Sequence, residues 1–92
     1  MPSSPVPQVA LGRAIRLRRD ELGLSQSAVA LDAGIEPSWL SHIESGEQNP
    51  AWATVDRIAR ALGWSLWQLA KLADELETED RRPTDAPLPP RD

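Results

Sequence analysis

The stretch that most constrains this chain is Leu24 to Gly46, LSQSAVALDAGIEPSWLSHIESG. Ser25 is a good N-cap, and Gln26 to Ala33 follows with apolar side chains at Val29, Ala30 and Ala33. Gly34 offers the positive φ that ends a helix and turns the chain. Pro37 falls where a second helix would have its first residue, the helical position that suits proline. Leu40 and Ile43, three apart, form the inward face of that helix, and Ser45-Gly46 closes it. Small Ala30 and Ala33 let the two helices cross closely.

Two short helices joined by a tight turn make a helix-turn-helix pattern. The segments GLSQ, AGI, SWLSHIESGEQNP and TVDRIARALGWSLWQL stand in that order between about Leu11 and Leu69. In sequence and spacing they resemble the DNA-binding domain of phage-repressor-like (Xre/Cro-type) transcriptional regulators. The resemblance implies a compact, all-α, five-helix lambda-repressor-like domain, with a second helix-turn-helix helix that reads DNA. Because one fold can host unrelated tasks, it is more specific for fold than for function.

Ninety-two residues allow one small domain. The expected boundaries are a disordered lead over 1–7, the domain over 8–77, and a disordered, acidic, proline-rich tail over 78–92. Helices are expected at about 8–22, 26–33, 37–44, 51–62 and 66–76, the last fading through Asp74 to Glu79. With no cysteine and one histidine, neither a disulfide nor a metal site is expected. No cofactor is expected. No apolar run approaches the ~18 residues of a membrane span, and the N-terminus does not read as a signal peptide. The expected location is the cytoplasm, at the nucleoid.

The net charge of −4 opposes a nucleic-acid reading, but its distribution matters more than its sum. Seven acidic residues against three arginines lie between Ala73 and Asp92, which accounts for the deficit. From Gln8 to Leu72 there are seven of each sign. Arg13, Arg16, Arg18 and Arg19 cluster on the first helix, whereas no Lys or Arg occurs between Asp20 and Asp56.

On the first helix, Leu11, Ile15 and Leu22 share a stripe, with Ala14 at its edge. Arg18 lies on the stripe, where its stem can cover the core edge while the guanidinium reaches water. Arg13 and Arg16 face away, to meet phosphates or to form a solvated face. The resemblance implies that Arg19 pairs with Glu44 and fixes the reading helix; with Arg13 and Arg16, Arg19 is also a phosphate candidate. It also implies that Gln26, beside Ser25 and the helix N-terminal amides, grips a phosphate.

The same resemblance assigns base contacts to Pro37, Ser38 and His42, and Ser41 also faces outward. Proline offers only van der Waals contact, serine discriminates weakly, and His42 could donate to a guanine acceptor, more strongly when protonated. Trp39 either packs on a sugar-phosphate wall or marks a protein interface. In the EQNPA loop, Asn49 is a further phosphate candidate, and Glu47 would repel phosphate. Trp52, Val55, Ile58, Ala59 and Leu62 should form the buried face of the fourth helix. Ser65 and Gln68 make an S-x-x-Q capping box, with Trp64 and Leu69 as its staple. Leu66, Leu69, Ala70 and Ala73 should be buried on the fifth helix. Trp67 is either a dimer-interface anchor or lies flat on its own helix.

No nucleophile–base set, carboxylate pair, phosphate-cradling glycine loop or metal spacing stands out, so an enzyme is not expected. Two functions remain. The first is a homodimeric regulator that binds double-stranded DNA. The second is a protein-interaction module of the same fold, such as an antitoxin or regulatory subunit, which meets its partner through Trp39 or Trp67.

Overall fold

A computed structural model describes residues 7–81, over which the chain forms helices only. In order these are α1 (Pro7–Leu22), α2 (Gln26–Ala33), α3 (Pro37–Glu44), α4 (Trp52–Ala61) and α5 (Leu66–Arg81). The tails expected to be disordered lie largely outside the described residues.

The local signals act as their chemistry requires. Ser25 Oγ accepts from the Ala28 amide at 3.0 Å, which caps α2. Gly34, at φ 74°, ends α2 and donates back to the carbonyls of Ala30 and Leu31. Pro37 is the first residue of α3. At the start of α5, the Ser65 amide donates to Gln68 Oε1 at 2.9 Å and the Gln68 amide to Ser65 Oγ at 3.2 Å. That reciprocal pair is the capping box.

The core gathers Ala10, Ala14 and Ile15 of α1, Val29, Ala30 and Ala33 of α2, and Leu40 and Ile43 of α3. Val55, Ile58, Ala59 and Leu62 join from α4 and its cap, and Leu69 and Leu76 from α5. Leu66, Ala70, Ala73 and Trp64 are half-buried around it. α5 packs along α1, and because Leu76 prolongs the Leu69 and Ala73 stripe, the helix continues to Arg81 instead of ending near residue 76.

Leu66, Ala70 and Ala73, expected to be buried, are half-buried, and three further placements differ more. Trp52 is 73% exposed instead of buried. It is the first residue of α4, and helical side chains lean toward the N-terminus, so its indole projects past the end of the core. Leu22 is exposed because it is the last residue of α1, and half-buried Leu24 packs against the core after the turn. The Arg18 guanidinium does not simply reach water. Its Nε donates to the Leu62 carbonyl at 3.1 Å, and it stacks on the Trp64 ring, 4.5 Å from the centroid. It thereby ties α1 to the end of α4.

Candidate nucleic-acid interface

The position of α3 is set by polar contacts at its C-terminal end. Arg19 forms a two-pronged pair with Glu44, Nε to Oε2 at 2.8 Å and Nη2 to Oε1 at 2.9 Å. Arg19 Nη1 also donates to the Leu24 carbonyl at 2.9 Å. Gln26 Nε2 donates to Glu44 Oε1 at 2.9 Å. The Glu44 side chain is only 4% exposed and that of Arg19 13%, so one buried carboxylate joins α1, α2 and α3. The hydrogen bond to Glu44 raises the Arg19 pKa above its usual value, outweighing burial, which lowers it.

Gly12, whose role the sequence did not suggest, permits this geometry. A Cβ there would overlap the carbonyl oxygens of Ile43 and Glu44, so α1 crosses directly against the backbone at the end of α3. A lone glycine inside an amphipathic helix was the available signal. Gln8 Nε2 adds a bond to the Gly46 carbonyl at 2.9 Å.

With its inner row and its end fixed, α3 exposes Pro37, Ser38, Ser41 and His42. Trp39 is 38% exposed at the flank. Of the sequence-derived phosphate candidates, Arg16, Arg19 and Gln26 come together and Arg13, Ser25, Trp39 and Asn49 do not join them. Arg16, Arg19, Gln26, Ser41, Glu44 and Ser45 line one polar depression where α1, the start of α2 and α3 meet. Ser25 and Arg13 are exposed, and Arg16 lies 4.0 Å from Asp20. Asn49 is elsewhere, in a groove shared with Gln8, Leu11, Trp52, Leu66 and Ala73. Gln26 spends one amide hydrogen on Glu44, and its second remains for another acceptor.

Glu47 has partners the sequence did not suggest. His42 Nδ1 lies 2.7 Å from Glu47 Oε1, and Ser45 Oγ is 2.9 Å from the same oxygen. The His42 contact and then the Ser45 hydroxyl hold the Glu47 carboxyl below the usual glutamate range. Trp67, the dimer-interface candidate, is 75% exposed near the start of α5. Among the described residues there is no cluster of metal-ligating side chains, and no helix is long and apolar enough to cross a membrane.

Among the described residues, five helices with α2 and α3 as a helix-turn-helix, locked to α1 by a buried ion pair, define an all-α lambda-repressor-like domain. The family model described as a helix-turn-helix domain matches residues 10–76, and the chain belongs to that family. An uncharacterized HTH-type transcriptional regulator of Sinorhizobium fredii, y4dJ, is 40% identical over 60 residues, 65% of this chain and 77% of the relative. The clp gene regulator ClgR of Corynebacterium glutamicum shares the fold, with a TM-score of 0.82 at 24% identity over 85% of this chain and 83% of its own. The restriction-modification controller protein C.AhdI of Aeromonas hydrophila gives a TM-score of 0.66 at 29% identity, over 67% and 94%. None of these three is named as an enzyme. The chain is a member of the Xre-like transcriptional regulators.

Proposed function

We propose that this chain is a sequence-specific, double-stranded DNA-binding regulator that reads the major groove with α3 and acts as a homodimer. The observation that carries the reading is a helix buried through Leu40 and Ile43, pinned by Arg19 and Glu44, with Pro37, Ser38, Ser41 and His42 left outward. A reading helix must be held rigidly if its few side chains are to discriminate base edges. Arg13, Arg16, Ser25 and Gln26 flank it as phosphate contacts, with the amides at the start of α2. Arg19 acts through Glu44, the carboxylate it shares with Gln26, rather than as a free cation. Asn49 is a peripheral phosphate candidate, and Trp39 packs beside the backbone.

In the dimer, α3 of each subunit enters successive major grooves, with half-sites roughly 34–36 Å apart. Exposed Trp67 is the candidate dimer anchor, and Trp52 supplies another indole exposed to a similar degree. The test is selection of bound sequences from randomised duplexes. The wild-type chain is expected to enrich a two-fold symmetric site. Ser38→Ala/His42→Ala should broaden the enriched sequence while leaving the unfolding midpoint within about 0.5 kcal/mol of wild type. An unchanged preference in the double variant would remove α3 as the reader.

A second reading, a protein-interaction module, is favoured by one feature of the same face. No Lys or Arg stands between Asp20 and Asp56, while Glu36 and Glu47 bracket α3 and Trp39 is exposed. Retention on heparin that salt reverses separates the two, because only the DNA-binding reading requires it.

A further inference from the structure

The histidine on the outward face of α3 is held by a neighbour. His42 Nδ1 and Glu47 Oε1 are 2.7 Å apart although both side chains are more than half exposed. The backbone places them there. The Glu47 amide donates to the His42 carbonyl at 3.0 Å, so the chain folds back over the last turn of α3 after Gly46. Ser45 Oγ lies 3.0 Å from the His42 carbonyl and 2.9 Å from Glu47 Oε1, and can donate its one hydrogen to either. Glu47 is therefore not a stray acidic side chain on a DNA-facing loop.

The consequence is one of hydrogen bookkeeping. A carboxylate only accepts, so the hydrogen in this contact must sit on His42 Nδ1. A neutral imidazole carries a single N–H, which leaves Nε2 with a bare lone pair. Free imidazole side chains favour the opposite tautomer, with the hydrogen on Nε2. In the major groove, a bare Nε2 is matched by the amino group of adenine or cytosine, N6–H₂ or N4–H₂. The acceptors of guanine, O6 and N7, face it with like polarity.

We propose that Glu47 is a positioning residue that holds His42 as the Nδ1–H tautomer, so that Nε2 reads the amino group of an adenine or cytosine. The assignment rests on α3 being the DNA-reading helix. It also explains why an acidic side chain stands beside a phosphate-rich surface. Its repulsion lowers affinity for every sequence alike, whereas its hold on His42 acts at a single base.

The chain has one histidine, so its imidazole nitrogens can be observed without assignment. Long-range ¹⁵N–¹H spectra of the full chain without DNA, at a pH where the ring is neutral, are expected to show a protonated Nδ1 and a bare Nε2. Glu47→Ala should reverse that pattern. A wild-type ring protonated mainly on Nε2 overturns the proposal. The second arm is selection from randomised duplexes at the same pH, where the ring is neutral, with the position read by His42 defined as the one whose preference disappears in His42→Ala. There the wild type should prefer adenine or cytosine, and Glu47→Ala should reduce that preference about tenfold while other positions keep theirs. Guanine at that position, or an unchanged preference in Glu47→Ala, overturns the proposal. A wild-type chain that selects no sequence overturns the DNA-reading assignment of α3, while the spectra still decide the tautomer separately.

Discussion

Glu44 accepts three hydrogen bonds from two side chains and is almost fully enclosed, so its removal strands both partners. Removing one member of a buried pair costs about 3–5 kcal/mol, because the other charge stays buried without compensation. For Glu44→Ala we expect about 3 kcal/mol, the lower end, because Arg19 keeps its bond to the Leu24 carbonyl. Urea unfolding measures it. Replacing both charges by apolar side chains, Arg19→Met with Glu44→Leu, should return stability to within about 1 kcal/mol of wild type. The double variant should nevertheless bind DNA less selectively, since Gln26 loses its acceptor and the end of α3 its lock. If it unfolded as readily as Glu44→Ala, the loss would lie in packing and not in a stranded charge. The Arg19 and Glu44 pairing was reachable before the fold because family resemblance supplied both positions. Glu47 was not, since a sequence gives the sign of a side chain but not what the folded loop brings against it.

At the scale of helices, what could be read depended on how local the cause was. Ser25, Gly34, Pro37 and the Ser65 and Gln68 box act within a turn of their own position, and each works where the sequence placed it. Trp52 misled because periodicity assigns a face, while burial also depends on whether the core extends to that end of the helix. Gly12 did not suggest its role because that role lies in a second helix 31 positions away in sequence. It yields a prediction in which two effects oppose. Alanine improves helix propensity over glycine by about 1 kcal/mol. Against that, a Cβ would press on the carbonyls of Ile43 and Glu44, which are backbone and cannot rotate away. Overpacking of this kind costs about 1–3 kcal/mol, so Gly12→Ala should be destabilising on balance. Because the strain falls on the end of α3, DNA affinity should fall even in conditions where the variant remains folded. A thermal midpoint equal to or above that of wild type would show that α1 and α3 can separate without loss.

Over the whole molecule, the sparse positive charge sets how binding should respond to salt. Arg18 and Arg19 point into the fold, each bonded to a backbone carbonyl, whereas Arg13 and Arg16 are the exposed arginines of α1, Arg16 lying 4.0 Å from Asp20. Each phosphate neutralised by a cation contributes about 0.9 to the slope of log affinity against log salt. Two per subunit in the proposed dimer give a slope of about −3.6, and a single subunit half that. Proteins that make six to ten such contacts lose about 10³–10⁵ in affinity between 50 and 200 mM salt. A slope of −3.6 over the same fourfold range corresponds to a loss of only about 150-fold. Fluorescence anisotropy of a labelled operator at several salt concentrations measures the slope directly. Arg16→Ala should make it shallower by close to 2 in the dimer, one unit per subunit. On the proposed dimer anchored by Trp67, Trp67→Ala should make the apparent affinity depend more steeply on protein concentration, because weakened dimers would assemble on the DNA. A wild-type slope steeper than about −6 would mean that cations beyond α1 reach the duplex, and the two-arginine account of the phosphate contacts would have to be abandoned.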